Sequence, residues 1–328
     1  MEIKKKHTKT VLIIGISSFV GSNLAEYLKN DFKVYGTYQK TKVQVDGVTT
    51  FPCDVLTKEE VQMAVYAARP DFVIYCAGLA TVAECAHTEN IAEALNTSGL
   101  INAIEYCERY KARICYLSSS YVFGGEKKKY MEMDIPDSLT VYGKTQAASE
   151  FYLQKNSLNY IIFRSSLLYG RSLAMNRYTF FEKLQRKAAF NQKFILDNKI
   201  KHGFLDVYFL GAVIKLAIEQ DFSNRLFQIC SSDIMTHYEF AQTYAEVFDE
   251  DLGSMVSGKW SFPYIRTEDT DELSEELYFQ LDVSNVESFL KVKMPTIKES
   301  LEITFKRLNG IKKTKSARSQ GSSRITYI

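Results

Sequence analysis

No Cys-x-x-Cys spacing occurs in this chain, no run approaches the roughly 20 apolar residues that cross a bilayer, and no segment repeats. Each absence removes a class of protein. The cysteines at 53, 76, 85, 107, 115 and 230 are too scattered for a disulfide scaffold or a zinc site. They are expected as free thiols filling the core of a protein from a reducing compartment. The early apolar run in "MEIKKKHTKTVLIIGI" lasts only about six residues, too short for a signal-peptide core or a membrane span. A buried strand and a cytoplasmic location are the expectation.

Charge of one sign is also scarce. Formal charge is +2, and Lys312, Lys313, Lys315, Arg318 and Arg324 stand after Ile311 with no acid; removing those five leaves −3 for the rest. A body with that balance is no nucleic-acid binder. The 46% hydrophobic content of 328 residues fills one large α/β domain or two smaller ones.

Over the first two thirds, short apolar runs alternate with longer amphipathic stretches, the pattern of a parallel sheet covered by helices on both faces. Seven strands are predicted: "TVLIIG" (10–15), "KVYGTY" (33–38), "VTTFPC" (48–53), "FVIYCA" (72–77), "RICYLS" (113–118), "YIIFRS" (160–165) and "LFQICS" (226–231). Helices are predicted near 19–30, 57–68, 91–110, 142–155 and 206–220, with Thr57 and Glu60 at capping-box spacing. From Arg171 the rhythm becomes irregular. Helices are expected near 178–190, after "MTHYEF" (235–240), and near 296–309, with an acidic stretch "TEDTDELSEE"; His237 is expected to belong to a helix start. The expected architecture is α/β, a Rossmann-type doubly wound parallel sheet of about seven strands with a smaller C-terminal substrate lobe. Residues 1–170 and a returning segment 203–231 would form the sheet domain, and 171–310 a discontinuous lobe. Residues 311–328 would be a disordered basic tail.

"GISSFVG" follows the first strand and opens a helix, where a glycine-rich loop sets a pyrophosphate on helix N-terminal amides. Gly15 and Gly21 take the first and third glycine places, Ser18 the middle one, and Ser17, Phe19 and Val20 complete the loop. A serine at the middle place has to tolerate close backbone approach to phosphate or offer its hydroxyl as a donor. The second strand ends "TYQKTK", so Gln39 and Lys40 stand where a carboxylate would grip both ribose hydroxyls and repel a 2′-phosphate. That favours NADP and leaves NAD open.

With "GISSFVG", "CDV" (53–55), "CAG" (76–78), "LSSSYVFGG" (117–125) and "VYGKTQAASE" (141–150), residues 10 to 308 resemble the extended short-chain dehydrogenase/reductases. The likeness is to the dTDP-4-dehydrorhamnose reductase branch, which reduces nucleotide-linked 4-keto sugars. It implies adenine contacts at Asp54 and Val55, a cofactor path along Cys76, Ala77 and Gly78, and the fourth-helix asparagine at Asn96. It also implies a nicotinamide flank at Ser165, a catalytic serine at Ser119 and a catalytic tyrosine at Tyr142. The expected partner is a nucleotide sugar, and a homodimer is compatible with it. Arg171, Lys201 and His202 are candidates for the sugar-nucleotide phosphates.

The departure lies at Gln146. The family places a lysine there, one helical turn after the tyrosine, where it lowers the phenol pKa and binds the nicotinamide ribose. Glutamine keeps hydrogen bonds but supplies no charge, and Lys144, two residues along a helix from Tyr142, faces elsewhere. Two functions follow: a nucleotide-sugar reductase, epimerase or dehydratase with altered acid–base chemistry, or a non-catalytic cofactor-binding regulator or scaffold.

Overall fold

The computed structural model describes residues 8–173, 178–190, 194–253, 255–258 and 276–318. In chain order the strands are β1 (Thr10–Ile14), β2 (Lys33–Tyr38), β3 (Thr49–Pro52), β4 (Phe72–Tyr75), β5 (Arg113–Ser119), β6 (Tyr160–Ser165), β7 (Leu167–Tyr169), β8 (Phe194–Asp197), β9 (Ile200–His202), β10 (Phe204–Asp206), β11 (Arg225–Ile229), β12 (Met255–Gly258) and β13 (Leu277–Phe279). The helices are α1 (Phe19–Leu28), α2 (Lys58–Ala68), α3 (Val82–His87), α4 (Glu89–Glu93), α5 (Gly99–Tyr110), α6 (Val141–Asn156), α7 (Phe180–Phe190), α8 (Val207–Glu219), α9 (His237–Phe248), α10 (Ser284–Leu290) and α11 (Ile297–Arg318).

All seven predicted strands join one parallel sheet in the order β11-β6-β5-β4-β1-β2-β3. Strands covered on both faces must be apolar throughout, and every residue of β1 is buried accordingly. Val11 and Ile13 pack with α1 and α8 on one face, while Leu12 and Ile14 pack with α2 and α5 on the other. The chain runs outward from β1 to β3, then returns to place β4 on the other side of β1. That reversal opens a crevice at the carboxyl ends of β1 and β4, the place where such sheets bind ligands.

A second core joins Tyr169, Phe181, Phe204, Phe240, Tyr244 and Leu301, from β7, α7, β10, α9 and α11. Asp206 ties this second core to α8. Its carboxylate caps α8 by accepting from Tyr208 N–H at 2.7 Å and accepts from Arg307 of α11 at 2.6 Å. The backbone of α11 continues to Arg318, inside the segment expected to be a disordered tail, and 319–328 lie outside the described residues. So does the acidic stretch at 267–276, apart from Glu276.

Two local expectations are corrected. Thr57 occupies an N-cap position but its side chain makes no capping bond: the Glu60 N–H donates to the Thr57 carbonyl at 3.1 Å, and the Glu60 carboxylate accepts from Asp54 N–H at 2.6 Å. The helix expected over 91–110 is broken into α4, a π-helical turn at Ala94–Ser98, and α5. A complete capping box forms at α9, where Thr236 N–H donates to Glu239 at 2.8 Å and Glu239 N–H donates to Thr236 Oγ1 at 3.1 Å. Thr236→Ala should therefore cost about 1 kcal/mol of stability in a chemical denaturation curve. An unchanged midpoint would show that the cap carries no energy.

Candidate active site

The glycine-cornered loop builds one wall of the crevice. Gly15 has φ +87°, and a Cβ there would lie 2.7 Å from Ala77 N, so only glycine lets β1 turn this close to the end of β4. Ser18 is the N-cap of α1, its Oγ accepting from Gly21 N–H at 2.9 Å. The hydroxyl's acceptor side is thus occupied and its proton remains. The amides of Phe19 and Val20, in the first turn, have no partner within the helix by construction. Together with the helix dipole they suit an anionic phosphate.

The opposite wall depends on α6. Thr140 caps this helix by accepting from Gly143 N–H at 3.0 Å. A Cβ at Gly143 would lie 1.8 Å from the Tyr121 carbonyl oxygen, so glycine is what allows the helix to rest on the segment after β5. That contact brings Tyr142 to Ser119. Ser119 Oγ accepts from Tyr121 N–H at 3.2 Å and stands beside the Tyr142 phenol. Burial pushes the Tyr142 phenol up to about 12, and the neighbouring Ser119 opposes that rise only in part.

Gln146 follows one turn later, buried, and accepts the Tyr116 hydroxyl at 2.6 Å. Tyr116 is itself buried in β5, and its phenol lies well above its ordinary range through burial. Lys144 is exposed, as its helical position predicts. Among the described residues, no lysine, arginine or histidine lines the crevice to replace the charge that Gln146 omits.

The crevice holds about 270 Å³. It gathers Ser18, Phe19, Val20, Cys76, Ala77, Gly78, Asn96, Ser119, Tyr142, Gln146 and Ser165 from the sequence candidates. Gly15 and Gly21 shape its loop without lining it, and Ser17 lies beside them. Gln39 and Asp54 sit on the flank, joined by a 2.9 Å hydrogen bond from the Gln39 amide; Lys40 is exposed next to them. Val55 has its side chain in the core, and its carbonyl accepts from the Asn102 amide at 2.9 Å. Asn96 accepts from Leu79 N–H at 2.8 Å and donates to Leu79 O at 3.2 Å and Thr145 Oγ1 at 3.1 Å. It clamps the turn after Gly78, and the π-helical turn is what aims it there.

Sequence reasoning missed Tyr116, Tyr121, Ser118 and Ser166, which also line the crevice. Alternation along β5 puts Tyr116 and Ser118 on one face, but only the register of α6 reveals that Tyr116 meets Gln146. His202 is corrected as a phosphate donor: it is buried, stacked on Phe279 at 5.0 Å, and held neutral because burial drives its pKa well down. Lys201 lies 3.8 Å from Glu276, and Arg171 is exposed. His237 begins α9 as expected. A larger cavity of about 540 Å³ lies at the opposite, amino end of the sheet, where Lys9 and Arg113 share Asp221. It is remote from Ser119 and Tyr142 and contains no comparable chemistry.

A 3-2-1-4-5-6 parallel core, a glycine corner at its switch point, a serine at the end of β5 and a tyrosine on the facing helix define an extended short-chain dehydrogenase/reductase. More narrowly, the chain belongs to the family described as the RmlD substrate binding domain, whose model matches residues 9–309. It is 25% identical over 164 residues to methionine adenosyltransferase 2 subunit beta of Bos taurus, covering 49% of this chain and 48% of that protein. It is 29% identical over 161 residues to dTDP-4-dehydrorhamnose reductase of Aggregatibacter actinomycetemcomitans, covering 49% and 52%. In both cases the chain spans about half the length of the curated relative. The solved structure of dTDP-4-dehydrorhamnose reductase from Bacillus anthracis, in complex with NADP, shares the fold with a TM-score of 0.77 at 20% identity, covering 92% of this chain and 99% of that one. Among the described residues, no helix is long and apolar enough to cross a membrane, and no group of three or more His, Cys, Asp or Glu could hold a metal ion.

Proposed function

We propose that the protein is an NADP-dependent reductase of nucleotide-linked 4-keto sugars, with NAD as the second candidate cofactor. The observation that carries this reading is the placement of Ser119 beside Tyr142, facing a glycine-cornered helix N-terminus across one crevice. The site fits a dinucleotide on the structure's own terms: the close approach at Gly15 and the first-turn amides of α1 form a phosphate cradle. Gln39, Lys40 and Asp54 would border the adenosine, with no carboxylate at the end of β2 to exclude a 2′-phosphate. Residues 1–170 with 203–231 would hold the cofactor and 171–310 the sugar nucleotide.

When bound, the reduced nicotinamide supplies hydride to the carbonyl carbon. Tyr142 Oη holds the proton that the developing alkoxide takes, and the Ser119 hydroxyl orients the carbonyl oxygen. A phenol pushed up to about 12 remains protonated throughout the neutral range, so Tyr142 stands in the acid form that the reductive direction uses. It is a weak acid, and positioning has to supply much of the rate.

A second reading, a NAD(P)-binding regulatory or scaffold subunit, is supported by the uncharged Gln146 and by the likeness to a protein named as a subunit. One experiment separates the two. Reduced-nicotinamide oxidation is followed with a panel of nucleotide-linked 4-keto sugars, for the wild type and Tyr142→Phe. Turnover that Tyr142→Phe abolishes establishes the reductase; no turnover across a broad panel, with cofactor still bound, establishes the subunit.

A further inference from the structure

We propose that the cavity of about 540 Å³ at the amino end of the sheet is a second ligand site, built for a small anion that carries a planar ring, a nucleoside phosphate. It goes beyond the reading above and depends on no part of it. At the floor lies buried Phe72, the first residue of β4, with Lys9 at 5.2 Å and Arg113 at 5.1 Å over its ring. These two cations are already engaged. Both reach Asp221, at 3.2 and 3.0 Å, while Lys9 also donates to the Ile218 carbonyl and Arg113 to Asn159. The other carboxylate on the wall, Asp71, accepts from Thr10 N–H at 2.7 Å. Against these two carboxylates stand four cations, so the cavity carries a surplus of two positive charges and attracts anions.

The surplus sits on Arg69 and Lys111. Each is the left-handed residue that ends a helix, α2 at φ 43° and α5 at φ 58°, a place where glycine is ordinarily favoured. Their side chains are exposed, and among the described residues neither makes an ion pair. Beside them the exposed rings of Tyr66 and Tyr110 stand 6.2 Å apart, tilted at 58° rather than stacked, with Arg69 5.6 Å from the Tyr66 ring. Exposed aromatic rings next to unpaired cations are what a nucleotide uses, its base stacking while its phosphate takes the cations. A bare phosphate would leave both tyrosines idle. The volume falls within the range of about 300–1,000 Å³ found for small-molecule sites.

Isothermal titration of the full chain with adenosine monophosphate tests this, in excess reduced nicotinamide dinucleotide phosphate so that the crevice at the carboxyl ends is filled. One saturable site is expected. Arg69→Gly with Lys111→Gly should weaken it about tenfold or more while Tm holds or rises, because glycine suits both left-handed positions. Tyr110→Ala should weaken it about tenfold through lost stacking, and inorganic phosphate and adenosine should each bind at least about tenfold more weakly than the monophosphate. No saturable binding, or full affinity in the double glycine variant, would overturn the site. Inorganic phosphate binding as tightly as the nucleotide would overturn the role given to the tyrosines, and with it the ligand class.

Discussion

Gln146→Lys should raise reductive turnover about 10- to 100-fold at neutral pH, a share of what general acid–base tuning typically supplies. It should also move the alkaline limb of the pH–rate profile downward. In the wild type the Tyr142 phenol is pushed up to about 12 by burial, with no cation among the described residues that line the crevice to oppose it. The reductive step needs the protonated phenol, so the wild-type rate should be level through neutral pH and fall only as pH rises toward that value. A lysine one turn along α6 would share the helix face of Tyr142 and favour the phenolate, so the fall would begin at lower pH.

The same substitution has a cost. Position 146 is buried, so the new ammonium is desolvated, and the Tyr116 hydroxyl loses the acceptor it now holds at 2.6 Å. A loss of about 1–3 kcal/mol in denaturation is expected from that mismatch. Activity and stability should thus move in opposite directions. An unchanged rate with an unmoved alkaline limb would show that the Tyr142 proton is not the one transferred. A wild type without turnover that acquires it on Gln146→Lys would instead favour the regulatory reading.

Strand positions were legible because parallel strands covered on both faces are continuous apolar runs, and "TVLII", "FVIY" and "YIIF" could be buried in no other way. The loop from Gly15 to Gly21 and the pairing of Ser119 with Tyr142 were legible for another reason: short motifs fix backbone turns, and turns aim side chains. What escaped was decided by contacts between elements distant in sequence. Tyr116 and Gln146 meet only because Gly143 lets α6 settle on the Tyr121 carbonyl. His202 reads as a phosphate ligand until Phe279 and His237 enclose it from segments far along the chain. The π-helical turn at Asn96 has no periodic signature, being one irregular turn within an otherwise helical pattern.

Glu150→Ala should be among the most destabilising single changes in the sheet domain, costing about 3–5 kcal/mol. Arg164 of β6 and Glu150 of α6 are both buried, and the guanidinium donates to the carboxylate from Nε at 2.9 and 3.0 Å and from Nη2 at 2.7 Å. Arg164 also reaches the Glu132 carbonyl at 3.2 Å and lies over the Phe123 ring. Removing the carboxylate leaves a buried cation with one backbone acceptor, whereas replacing both partners removes the stranded charge. Glu150→Leu with Arg164→Met should therefore recover most of the loss, since a well-packed apolar pair is often as stable as a buried ion pair. Denaturation midpoints of the two single variants and the double variant decide this, and a double variant less stable than either single would contradict it. The consequence reaches the crevice, because Glu150 sits one turn beyond Gln146 on α6. When this anchor slips, the helix that carries Tyr142 shifts against Ser119, so the double variant should regain stability before it regains cofactor-dependent activity.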